Sequence, residues 1–184
     1  KAREAAGIPG LTAEQVLLCR DKLLMKNFLR AKGIACGKNA AVDRGADARR
    51  FVEEVGYPVI LKPRDGAGAH GTYKIESRQQ LEEVIRSLNL DHSRRFVTME
   101  EFYSGHEGFF DTMTVNGKVV FEAVSHYYPN VLEAMRTREL APYVITTNRL
   151  DSPGYNELKS FGRRVIAAMD LGTTPTHMEW FFGD

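Results

Sequence analysis

Apolar residues recur along the chain at helical and strand periods, and capping, glycine and proline signals divide them into elements. Thr12-Ala13-Glu14-Gln15 has the form of a capping box. After it, Val16, Leu17, Leu23, Leu24, Phe28 and Leu29 give a broken helical stripe that should end before Gly33. Ile34 to Val42 reads as extended, and Ala46 to Val55 as a second helix stopped at Gly56. Tyr57-Pro58-Val59-Ile60-Leu61-Lys62 is a compact buried-strand pattern. A glycine-rich loop, Pro63 to Thr72, leads into an extended run from Tyr73 to Ile75. Ser77-Arg78-Gln79-Gln80 is another capping box, and Leu81, Val84, Ile85 and Leu88 complete an amphipathic helix. Phe96 to Met99 is a strand.

The second half changes character. Phe109 to Val115, then Asn116-Gly117, then Val119 to Val124 is a strong hairpin signal. Ser152-Pro153 starts a helix, with serine as cap and proline first, whose stripe runs through Leu158, Phe161, Val165, Ile166 and Met169. Gly172 follows its end, and Thr176 to Phe182 is a final strand. The stretch His126 to Arg149 reads as an exposed connection with scattered charges. Its His126, Tyr127, Tyr128, Arg136 and Arg138 could also face a substrate carboxylate. The element order gives an α+β chain in two lobes joined near Met99 to Tyr103.

Composition narrows the function. The 184 residues are 43% hydrophobic and 27% charged, enough apolar material for a core. Lysine and arginine number 25 against 24 acids, so no basic footprint points to nucleic acid or an acidic membrane. No apolar run approaches the roughly 20 residues of a membrane span. Two cysteines, Cys19 and Cys36, make neither a disulfide framework nor a zinc ribbon, and a reducing, cytoplasmic setting is expected.

Four features carry candidate chemistry. Gly66-Ala67-Gly68-Ala69-His70-Gly71 matches the dinucleotide fingerprint in letters, but the following residues look extended, and that fingerprint needs a helix there. A flap whose amides fold over phosphates and a plain hairpin turn both remain open. Lys62 ends an apolar strand, where an ammonium needs an anion or an exit to solvent. Glu100 and Glu107, seven apart, are either nucleoside-binding carboxylates or solvated acids. On the last strand, alternation puts His177 and Glu179 on one face, where Glu179 suits magnesium. No Pro-Cys-x-x-Cys follows, so a zinc deaminase is excluded.

Taken in order, Arg20-Asp21-Lys22 with Lys26, Gly56 to Pro63, the loop Asp65 to Thr72, Met99 to Glu107, and His177-Met178-Glu179 resemble the ATP-grasp superfamily over nearly the whole chain. The look is nearest to amino-acid and carboxylate–amine ligases, with biotin-carboxylase and carbamoyl-phosphate-synthase types sharing much of it. The resemblance implies an ATP-grasp fold of two α+β lobes with the nucleotide between them, the C-terminal lobe cut short. Residues 1–32 would connect from a preceding domain, 33–98 form the N-terminal lobe and 99–184 the C-terminal one.

It implies roles as well. Lys22 and Lys62 would contact ATP phosphates, and Gly66, Gly68, Gly71 and Thr72 would close over them. Glu100 would take the adenine amino group, the main chain of Glu101 and Tyr103 the adenine edge, and Glu107 the ribose. Glu179 would be the first acid on Mg2+. His177, where many of these ligases have arginine, would help form the acylphosphate. ATP and Mg2+ would serve a ligase joining small-molecule carboxylate and amine substrates; a biotin-carboxylase or carbamoyl-phosphate type and a noncatalytic ATP-binding module are the alternatives. A homo-oligomer of the full-length protein stays open. A second metal-binding acid is expected beyond Asp184, so this stretch by itself is expected to bind nucleotide weakly and catalyse nothing.

Overall fold

The computed structural model describes residues 2–64, 71–137, 141 and 143–183. The chain forms two compact units: Arg20–Arg30 with Ala35–Tyr103, and Lys1–Cys19 with Ala31–Ile34 and Ser104–Asp184. In chain order the first half holds α1 (Ala2–Ala5), α2 (Ala13–Arg20), α3 (Lys22–Ala31), β1 (Asn39–Val42), α4 (Gly45–Val55), β2 (Val59–Pro63), β3 (Tyr73–Ile75), α5 (Arg78–Ser87) and β4 (Val97–Glu101). The second half holds β5 (His106–Val115), β6 (Lys118–Tyr128), α6 (Val131–Thr137), β7 (Tyr143–Thr146), a 3-10 turn (Pro153–Tyr155), α7 (Asn156–Met169) and β8 (Thr174–Phe182). Among the described residues no helix is long and apolar enough to cross a membrane.

Local signals build the first of these units. The single expected N-terminal helix is two helices. Asp21 breaks it, because its Oδ1 accepts from the amides of Leu23 and Leu24 and starts a new helix there. Upstream, in the stretch that belongs to the other unit, the Thr12–Gln15 box is reciprocal: Gln15 N donates to Thr12 Oγ1 at 3.1 Å, and Thr12 N to Gln15 Oε1 at 2.8 Å. At α5, Ser77 Oγ accepts from Gln80 N, while Gln80 Oε1 reaches back to the amide of Glu76. The antiparallel sheet runs β1-β4-β2-β3. Val42, Val59, Leu61, Ile75 and Met99 of the sheet pack with Phe51 of α4 and Leu81 and Ile85 of α5 in one core.

In the other unit the sheet order is β7-β6-β5-β8, every pair antiparallel. Asn116 and Gly117 both take positive φ, 51° and 76°, as a tight hairpin turn requires. α7 docks through Gly162, which leaves room for the ring of fully buried Phe110 on β5. Two expectations need correction. Ser152 makes no side-chain cap bond, and Pro153 opens a 3-10 turn ahead of α7. The stretch His126–Arg149 is not a plain connection: it contains the end of β6, then α6, then β7, which pairs with β6 from Ser125↔Thr146 to Tyr128↔Tyr143.

Candidate functional site

The strand expected to stop at Met99 continues to Glu101, which changes the setting of Glu100. Glu100 lies opposite Ile60 of β2 and Asn39 of β1. Lys62 is two residues on from Ile60, so alternation gives it the same face. α3 brings Lys26, four residues and one turn after Lys22. Both ammoniums meet one carboxylate oxygen: Lys26 Nζ lies 2.7 Å and Lys62 Nζ 3.0 Å from Glu100 Oε2.

Glu100 is 5% exposed, so it is not a solvated surface acid. Burial pushes its carboxyl up, but the charges and hydrogen bonds of Lys26 and Lys62 outweigh burial and hold it below the ordinary value. Its other oxygen, Oε1, is buried without a hydrogen bond, as is Asn39 Nδ2 on the neighbouring strand. Asn39 Oδ1 accepts from Arg30. The anion that Lys62 needed is therefore Glu100. Lys26 and Asn39, which the sequence reading did not assign, belong to the same cluster.

Lys22 starts α3 beside the end of β2. Its amide donates to the carbonyl of Arg64 at 3.2 Å, and the Arg64 guanidinium pairs with Asp21. Burial raises the Asp21 carboxyl, and the Arg64 hydrogen bond and charge with the helix amides bring it below its usual value. Glu101 N–H donates to Lys38 O, and Lys38 N–H donates to the Glu101 carboxylate at 2.7 Å. Tyr103 has its hydroxyl pushed up to about 12 by burial and by the nearby acids Glu101 and Glu100 and the thiol of Cys36.

Gly66 and Gly68 of the flap lie outside the described residues, within 65–70. Both ends of the loop are described. Leu61 pairs with Tyr73, so the loop joins two antiparallel strands and the dinucleotide fingerprint does not apply. Gly71 has φ 70°, and a Cβ there would press on Pro63 Cγ at 3.2 Å, so glycine lets the returning chain pass close to β2. Thr72 sits between that turn and β3.

The remaining candidates lie in the unit of β5 and β8. Glu107 is 6% exposed; its Oε2 accepts from Val131 N at 2.7 Å, and its own amide donates to Asn130 Oδ1. Glu179 lies opposite Phe109 and His177 opposite Asp111. As alternation requires, His177 and Glu179 share a face, away from Met178 and Trp180. The acid that meets His177 is nevertheless Asp111, across the ladder, with Nδ1 and Oδ1 2.8 Å apart. The His177 ring is 4.7 Å from that of Phe109, which is 5.1 Å from Tyr127. Burial, then Glu179, Glu107 and Asp111, raise the Tyr127 hydroxyl, so three carboxylates share one side of this sheet. Asp111 was missed because cross-strand register, not chain order, brings it to His177.

Among the described residues no group of three His, Cys, Asp or Glu side chains could hold a metal ion. A magnesium ion asks for less from protein: one or two carboxylates, with phosphate and water completing the shell. Glu179 on an open strand face fits one such place. Arg138 and the side chain of Arg136 lie outside the described residues.

A family model described as an ATP-grasp domain matches residues 55–184. The L-arginine-specific L-amino acid ligase of Bacillus subtilis is 27% identical over 187 residues, covering 96% of this chain and 43% of the ligase. D-alanine–D-alanine ligase B of Clostridium perfringens is 33% identical over 92 residues, 49% of this chain and 30% of that one. In structure, the L-amino acid ligase of Bacillus licheniformis superposes with a TM-score of 0.69 at 20% identity, over 97% of this chain and 40% of that one; at this identity it speaks to fold alone. The matched stretches span less than half the length of each of these relatives.

Proposed function

The chain belongs to the ATP-grasp domain family, and from that premise we propose that the protein binds ATP and joins a carboxylate to an amine or similar nucleophile. The observation that carries this reading is the cluster of Lys26 and Lys62 on the buried Glu100, with Lys62 immediately before the glycine-rich loop in the sequence. Two ammoniums on one buried carboxylate are more positive charge than a structural ion pair needs. A nucleotide phosphate would take up the excess. In this reading Lys22 and Lys62 contact phosphates, and Gly66, Gly68, Gly71 and Thr72 cover them. Glu100 accepts from the adenine amino group, the main chain of Glu101 and Tyr103 meets the base edge, and Glu107 holds the ribose. Glu179 is the acid for Mg2+, which when bound would neutralise phosphate charge. His177 donates to a substrate or phosphate oxygen.

The chemistry is a substrate carboxylate oxygen attacking the γ-phosphorus, with the bond to ADP breaking. An amine then attacks the acyl carbon, phosphate leaves, and the amine loses its proton to solvent. Phosphoryl transfer asks chiefly for positioning and charge neutralisation, which lysines and amides provide. Two relatives whose names are those of amino-acid ligases support an amino acid as substrate. The near-zero net charge is consistent with small-molecule substrates, and two cysteines, too few for a disulfide framework, are consistent with a reducing, cytoplasmic setting. The test has two stages. The chain should bind ATP in calorimetry, and the full-length protein should release ADP and phosphate with some member of an amino-acid and amine panel. ATP binding without turnover for any carboxylate would sink the ligase assignment, and no ATP binding would sink the nucleotide assignment.

A further inference from the structure

We infer that Lys26 is a positioning residue: by holding the Glu100 carboxylate it releases Lys62 to a nucleotide phosphate. This rests on the nucleotide reading above. The two lysines differ in how they are held. Lys26 projects from a helix whose start is fastened. Asp21 caps α3 and pairs with Arg64, Lys22 N bonds to Arg64 O, and Met25 N bonds back to Asp21 O. Lys62 stands one residue from the end of β2, just before the loop, and is the more exposed of the two, 23% against 17%. Its contact with Glu100 Oε2 is also longer, 3.0 Å against 2.7 Å.

A carboxylate this buried does not stay ionised without a cation. If Lys62 were its sole partner, turning Lys62 toward phosphate would strand the charge, and nucleotide binding would work against that loss. With Lys26 in place, Glu100 keeps a partner when Lys62 leaves. Lys26 therefore acts through Glu100 and Lys62 and need not touch the nucleotide.

The test compares the affinities of the chain for ATP and for adenosine by calorimetry, and reads their ratio. Adenosine lacks the phosphates, so the ratio reads the phosphate contacts together, and its change between Lys26 variants reads the share that passes through Lys62. Lys26→Met should pin Lys62 to Glu100 and lower the ATP:adenosine ratio on the order of tenfold, the scale of one charge-assisted hydrogen bond. Lys26→Arg should restore most of it. Glu100→Gln removes the charge that pins Lys62, so the ratio should be at or above the wild-type value. Adding Lys26→Met to Glu100→Gln should then change nothing. If Lys26→Met alone does not fold, the Glu100→Gln pair decides: a ratio that falls when Lys26→Met is added to it overturns the inference. Equal losses for ATP and adenosine in Lys26→Met, as a purely structural ion pair would give, overturn it too. A wild-type chain that binds no ATP overturns both this inference and the nucleotide reading, whereas ATP binding with an unchanged ratio overturns this inference alone.

Discussion

Replacing Gly162 with alanine sets two effects against each other, and the structure decides between them. Alanine inside a helix is favoured over glycine by roughly 1 kcal/mol, and Gly162 lies within α7. Against that, a Cβ at 162 would lie 2.6 Å from Phe110 Cδ1 and Cε1, and 3.2 Å from Met178 Cε. Carbon atoms pack at about 3.5–4.0 Å, so about 1 Å must be absorbed. Met178 is flexible and can swing away. Phe110 cannot: it is fully buried, on a strand paired on both sides with β6 and β8. Overpacking of this kind costs about 1–3 kcal/mol, more than the helix gain, so Gly162→Ala should destabilise by about 1 kcal/mol net. The assay is urea unfolding followed by far-UV circular dichroism and by fluorescence of Trp180, the one tryptophan, on β8 of the same unit. A second background sharpens it. With Phe110→Leu the ring is gone, and Gly162→Ala should become neutral or stabilising relative to that variant. The reasoning fails if Gly162→Ala is as stable as the wild type, or if its cost is the same in both backgrounds.

Gly108→Ala should be worse, by about 2–3 kcal/mol, because a Cβ there would overlap the Ser125 carbonyl, which belongs to the β6 backbone, and the Trp180 ring; an unchanged urea midpoint would contradict it. Glu100 has its folded pKa held below the ordinary 4.5, so it contributes stability above that value which is lost as pH falls through the folded pKa. Glu100→Gln should therefore flatten the loss of stability as pH falls below 4.5, and urea midpoints that fall equally steeply in both proteins would rule this out. Neutral His177 must donate from Nδ1 to the acceptor-only Asp111 carboxylate, so nitrogen NMR at alkaline pH should find the Nδ1–H tautomer, and Asp111→Ala should shift it toward Nε2–H. The same tautomer in both proteins would remove Asp111 as its cause.

How much of the fold was legible depends on how local each cause is. The Thr12–Gln15 box and the Asn116-Gly117 turn each close within four residues, and both stand where the sequence put them. The break at Asp21 was hidden. Aspartate inside an apolar stripe looks like a surface residue, and the guanidinium that fixes it comes from Arg64, 43 positions away. β7 was hidden for another reason. All four of its residues are exposed on an edge strand, so no buried face imprints an alternation on Tyr143–Thr146.

The candidate site divides along the same line. The lysine at position 62 could be read as a charge in need of an anion, because its three predecessors are apolar and the chemistry of burial is unforgiving. Which anion it meets is a matter of register. β4 lies between β1 and β2, and only that order sets Glu100 beside Ile60 and so on the face of Lys62. In the sequence Met99-Glu100-Glu101 looks like the exposed end of a strand, since two adjacent acids seldom go inside. Glu100 goes inside because a helix fastened at Asp21 brings Lys26 to it, and a strand end brings Lys62. The burial of the acid is thus a consequence of its partners, and those partners are set by pairings between segments far apart in the chain. His177 teaches the same lesson on a smaller scale: alternation gave its face, shared with Glu179, but the acid it touches is across the ladder on β5, where neither spacing nor residue type along β8 could have pointed.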